Sequence, residues 1–79
     1  MEILSMYDLK EGQSGKITEV DCKSDIKRRL MELGIIKGSL VKCVLSAPFN
    51  SIKAYSVMGS VIAVREADAR RVTVQEVEL

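Results

Sequence analysis

Helical periodicity of any length occurs once in this chain. Ile26, Leu30 and Leu33 fall at i, i+4 and i+7, and Gly34 follows directly. This spacing predicts one amphipathic helix of about ten residues, too short to stand without tertiary packing. Ser24 is the expected N-cap, with Asp25 placed to complement the helix dipole. Gly34 is the expected left-handed stop, and a Schellman ending would fold Ile35 back onto Leu30. Lys37-Gly38 then turns the chain into the apolar run that starts at Leu40 and Val41.

The remainder reads as short strands. Glu11–Gly15 is expected to turn, and Lys16–Val20 is β-branched enough for a strand. Ser39–Leu45 follows the helix, with Val41, Cys43 and Leu45 expected on one face. Ala47-Pro48-Phe49-Asn50-Ser51 carries turn chemistry, and Ile52–Val57 alternates around Lys53, Tyr55 and Val57. Val61–Arg65 is nearly continuous in apolar character, so burial on both faces is expected. Glu66–Arg70 reads as one helical turn, and Val72–Val77 as a last strand. With 79 residues the chain makes one domain, residues 1–79. Five short strands with an inserted helix fit an all-β fold, a small SH3-like β-barrel, because closure removes exposed edges.

Composition limits the chemistry. Histidine is absent, which removes the commonest general base and metal ligand. No phosphate-cradling glycine loop or paired carboxylates occur, and no four-ligand metal set can be assembled. Cys22 and Cys43 could form one disulfide, but free thiols are expected of a cytosolic chain, with Cys43 a small core residue. No catalytic residue, metal site or cofactor is therefore assigned. The net charge is +1 with mixed signs, unlike a nucleic-acid binder or a polybasic membrane anchor. No apolar run approaches a membrane span, and the N-terminus lacks a signal-peptide pattern, so a cytosolic chain is expected. Three aromatic residues, Tyr7, Phe49 and Tyr55, are too few for a proline-rich peptide groove.

What remains is a binding module. Lys27-Arg28-Arg29 is either a solvated helix flank, with Glu32 pairing Arg28 at i+4, or a docking surface for an acidic or phosphate-bearing partner. Met31, Ile35, Phe49 and Met58 are either scattered surface apolarity or one patch for a protein partner.

Arg29-Leu30-Met31-Glu32-Leu33-Gly34-Ile35, then Gly38 and Val41, resembles the family of the bacterial ferrous-iron transport protein FeoA. The match extends through Ala47-Pro48, Gly59, Ile62-Ala63-Val64-Arg65, Ala69, Val72 and Val74, and before the helix through Leu9-Lys10, Gly12, Gly15 and Ile17. The resemblance implies an SH3-like barrel and a non-enzymatic cytosolic accessory of the ferrous-iron permease FeoB, recruited to the inner membrane face by the permease's cytosolic GTPase-bearing region. Arg28, Arg29, Met31, Ile35, Pro48 and Phe49 are the candidate partner-binding residues; weak self-association is left open. Two alternatives stand beside this reading. One is a GTPase regulator supplying an arginine. The other is a metal- or peptide-sensing domain related to iron-dependent repressors. Three positions depart from the family pattern. Lys37 stands where a proline usually precedes the glycine, Asn50-Ser51-Ile52 replaces a Gly-Asp-Pro-like turn, and Lys53 occupies a usually apolar inward position.

Overall fold

The computed structural model describes residues 3–47 and 51–78. Six antiparallel strands form one sheet: β1 (Ile3–Ser5), β2 (Ser14–Val20), β3 (Leu40–Ala47), β4 (Ile52–Val57), β5 (Ser60–Arg65) and β6 (Val72–Val77). Their order is β1-β6-β2-β3-β4-β5. A 3₁₀ turn, Met6–Asp8, follows β1; helix α1, Ser24–Glu32, joins β2 to β3; and α2, Glu66–Ala69, joins β5 to β6. The SH3-like architecture expected from the sequence is present, with one strand more than expected and without the expected closure, since β1 and β5 do not pair among the described residues. The sixth is β1, whose three residues pair with Thr73, Val74 and Gln75. Its brevity left no alternation to read.

The sheet curls on itself. Tyr55 of β4 is fully buried, and its hydroxyl donates to the Met6 carbonyl at 3.2 Å, just beyond β1 at the far end of the strand order. Burial raises the pKa of this phenol, which keeps it a donor. Lys53, also on β4, donates to the Tyr7 and Leu9 carbonyls at 2.6 and 3.0 Å. Its ammonium lies 4.5 Å from the centre of the Tyr7 ring, whose ring also lies 4.7 Å from the Arg70 guanidinium. This charge thus bonds the backbone of the 3₁₀ segment and of Leu9 just after it. Among the described residues β1 and β5 do not pair, so these side-chain bonds, rather than a strand ladder, join the two ends of the sheet.

Helix α1 ends as its residues dictate. Gly34 has φ +99°, the Ile35 amide donates to the Leu30 carbonyl at 2.9 Å, and the Gly34 amide donates to Met31 at 3.0 Å. This is the Schellman pair. A β-carbon at Gly34 would lie 2.8 Å from the Met58 sulfur, so the same glycine admits the β4–β5 turn against the helix end. The start differs from expectation. Lys23 is the N-cap, without a side-chain hydrogen bond, and Ser24 is already helical. The preceding loop is tied to the last strand through the Asp21 amide, 2.8 Å from the Arg71 carbonyl.

Three assigned faces are corrected. Of the apolar helix positions only Leu30 is buried, at 5% exposure, while Leu33 is 41% exposed and Ile26 half-buried. The helix lies over the curled sheet along a line rather than a broad face. Leu45 does not join Val41 and Cys43 in the core, because the β3–β4 register shifts between Cys43 and Leu45 and turns the next side chains out. In β5 only Val64 is buried, because β5 ends the sheet instead of crossing its middle. Gly15 lies within β2 against Val74, not in the preceding turn.

Leu30→Asp should abolish cooperative unfolding, whereas Leu33→Asp should leave the melting curve near wild type, since only the former buries a carboxylate. Equal effects in a thermal melt monitored by circular dichroism would contradict this placement of the helix. Lys53→Met should cost about 2 kcal/mol in denaturant unfolding, because it leaves two carbonyls without their charged donor.

Candidate partner-binding surface

Helix α1 stands proud of the sheet and leaves a groove on each flank. On the β2 side, Met31, Lys27 and Ile36 face Thr18, Glu19 and Val20 across about 520 Å³. On the β5 side, Ile26, Arg29, Leu30 and Leu33 face Ala63, Val64 and Arg65 across about 350 Å³. Residues two apart on a helix point to nearly opposite sides. Arg29 and Met31 therefore fall into different grooves, and Arg28 lines neither.

The candidate residues separate accordingly. Arg28, Arg29 and Met31 are exposed, Met31 at 54%. Ile35 lines the β2-side groove only from below. At 1% exposure it belongs to the core, because the Schellman ending turns it inward beneath the helix. Pro48 and Phe49 lie outside the described residues. Met58 is exposed and its sulfur rests near Gly34, so it borders the C-terminal end of α1. Leu33, Ile36 and Lys37 also lie at this end and are exposed. Sequence reasoning missed Leu33 as a surface residue because its i+7 spacing matched the core stripe.

The charges of α1 are uncommitted. The expected Arg28–Glu32 pair does not form, and among the described residues Lys27, Arg28 and Arg29 make no ion pair. The ion pairs that do form lie elsewhere: Arg65 with Asp68 at 3.3 Å, Arg70 with Glu66 at 2.6 Å and with Asp8 at 3.9 Å, and Arg71 with Asp21 at 3.8 Å. The Arg70 hydrogen bond holds the Glu66 carboxyl below its usual pKa. Among the described residues no group of three or more acidic or cysteine side chains is placed to hold a metal ion. No helix there is long and apolar enough to cross a membrane.

Neither thiol is activated. Burial raises the pKa of Cys43, whose sulfur lies 3.9 Å from the Leu45 carbonyl. Burial, followed by the nearby Asp68 and Asp21 carboxylates, raises that of Cys22. Both stay protonated at neutral pH, when a nucleophile needs the thiolate.

The model of the FeoA domain matches residues 4–76. No curated protein matches the chain. Among solved structures, FeoA of Stenotrophomonas maltophilia complexed with zinc is 30% identical, with 91% of this chain and 89% of that one covered and a TM-score of 0.78. That protein is put forward as a prokaryotic SH3 domain protein and ferrous-iron transport activating factor. The FeoA protein of Chlorobium tepidum is 27% identical over 95% of this chain and 71% of that one, with a TM-score of 0.88. A manganese-dependent transcriptional repressor shares the fold at 14% identity and a TM-score of 0.87; the match covers 98% of this chain and 38% of the repressor.

Iodoacetamide at neutral pH should alkylate Cys22 and Cys43 slowly in the folded protein and rapidly once urea unfolds it. Fast native labelling at Cys22 would show that its thiolate is stabilised after all.

Proposed function

The chain belongs to the FeoA family, and on that premise we propose that it is a non-enzymatic accessory of ferrous-iron uptake that binds the cytosolic region of the permease FeoB. It would act in the cytoplasm and reach the inner face of the membrane through the permease. The observation that carries this reading is the unpartnered surface of α1. Arg28 and Arg29 have no ion pair among the described residues, and Met31, Leu33 and Ile36 are exposed beside them. Water satisfies exposed charges at little cost, so the missing ion pairs leave these arginines free to meet an acidic partner. Apolar anchors beside arginines are the residue types that carry binding energy at protein interfaces. The relative from S. maltophilia, put forward as a transport activating factor, supports the same direction.

One feature favours a second reading. Arg28 is exposed, unpaired and outside both grooves, as an arginine inserted into a nucleotide hydrolase would need to be. Adding the protein to the isolated GTPase domain distinguishes the two. Unchanged turnover rules out the arginine role and leaves binding as the function.

Met31→Asp should weaken binding to the cytosolic region of the permease by at least about tenfold, or ~1.4 kcal/mol, with an unchanged melting temperature because the side chain is exposed. Wild-type affinity in a calorimetric titration of this variant would remove Met31 from the interface.

A further inference from the structure

Strand β5 ends the strand order, so one of its sides faces no strand among the described residues. The β4–β5 turn shows which backbone groups lie there. Its two residues, Met58 and Gly59, both have positive φ, at 49° and 82°, the hairpin turn of type I′. In such a hairpin the flanking pair, Val57 and Ser60, is hydrogen-bonded, and bonded pairs then alternate with non-bonded ones. Ser60, Ile62 and Val64 therefore turn their N–H and C=O groups towards β4. Val61 and Ala63 turn theirs outward. Among the described residues no hydrogen bond satisfies these outward groups.

Exposed edges usually carry protection: a short strand, a bulge, a proline, a charge within the strand, or a covering helix or loop; α1 flanks β5 but stands off across a groove of about 350 Å³. The opposite edge, β1, is only three residues long. β5 keeps an unbroken register over six pairs, and Arg65 at its last position is its only charge. Val61, at 67% exposure, leaves its apolar side chain in solvent.

The open side is also shaped. Met58 meets Gly34 at the C-terminal end of α1, while Val64 and Arg65 reach Leu30, Arg29 and Ile26 further back. β5 thus runs antiparallel to the helix. Three consecutive β5 residues, Ala63, Val64 and Arg65, line the groove between them. A surface touched by three residues in succession runs along the strand's side rather than across one of its faces. Charge then selects the occupant. Asp68 is the only carboxylate in this groove and is already paired with Arg65, while Arg29 is free among the described residues. A second copy of the chain would bring its own unpaired Arg29 to the same seam and add like charge there.

We propose that the outer side of β5 binds an extended, acidic segment of the partner protein as an added strand, with its acidic side chains towards Arg29. The backbone groups of Val61 and Ala63 supply the ladder, and the α1–β5 groove admits alternate side chains of the guest. The inference rests on reading the chain as a partner-binding module, and it names the chemistry of that partner.

The test uses the isotopically labelled protein and a short peptide alternating valine with glutamate, beside the same peptide with lysine. The acidic peptide should slow amide exchange at Val61 and Ala63; the basic one should not. Ala63→Pro removes only an outward amide and should weaken acidic-peptide binding at least about tenfold, whereas Ala63→Thr should not. If the proline variant fails to fold, Arg29→Glu should invert the preference between the two peptides. Protection confined to other strands, wild-type binding by a folded Ala63→Pro variant, or an unaltered preference in Arg29→Glu would overturn the proposal. So would concentration-dependent dimerisation that protects the same amides without peptide, which would make a second copy the occupant. The cytosolic region of the permease, added as competitor, separates this inference from the functional reading. Displacement of the peptide supports both. Permease binding that leaves Val61 and Ala63 unprotected overturns strand addition alone. Peptide binding at the edge with no permease binding overturns the permease reading alone.

Discussion

Two side chains of β4 hold the curled sheet together. Tyr55 sends its hydroxyl to Met6, and Lys53 sends its ammonium to the Tyr7 and Leu9 carbonyls. These bonds connect parts of the chain that lie near opposite ends of the strand order. The sheet could not enclose a core of mainly aliphatic side chains if its ends stood apart. A small domain buries a limited share of its surface, so one large central residue such as Tyr55 carries much of the packing. Its one polar atom must then find a partner, and that partner is the backbone beyond β1.

The helix depends on the same closure. Leu30 is its one buried side chain, and Ile35 enters the core immediately after the glycine stop. A nine-residue helix anchored at so few points contributes little to the core. It shields part of the interior and leaves most of its circumference in solvent. That economy creates the two flanking grooves and keeps Arg28, Arg29 and Met31 available. The β4–β5 turn packs on Gly34, so the helix end and the beginning of the edge strand form one continuous border.

Much of this was legible in the residues. The helix, its glycine stop, the Schellman bond and the alternation of Lys53, Tyr55 and Val57 followed from local spacing and chemistry. Local rules failed where neighbours decide. Leu33 matched the helical period but is only partly covered, at the rim of the β5-side groove. Leu45 matched the strand period until a bulge in β3 reversed its side. Lys53 was a departure from the family pattern, and only the nearby 3₁₀ carbonyls explain why an ammonium is accommodated there. In the candidate surface, exposure of Arg28, Arg29 and Met31 was readable from the helical wheel. Removal of Ile35 from it was already implied by the packing expected of a Schellman ending.

The sequence by itself determined that one helix forms and where it stops, where five of the six strands lie to within a few residues, and that histidine-dependent chemistry is absent. These properties depend on φ preferences, side-chain periodicity and residue identity within a few positions. Tertiary structure alone decided which apolar residues stay in solvent, which side of α1 each charge occupies, and that β5 is an edge. An apolar run reads the same whether it crosses the middle of a sheet or ends it. The difference lies in the strand order, which is set by pairing between distant segments, and Val61 and Ala63 acquire open backbone groups only when no strand is placed beside them.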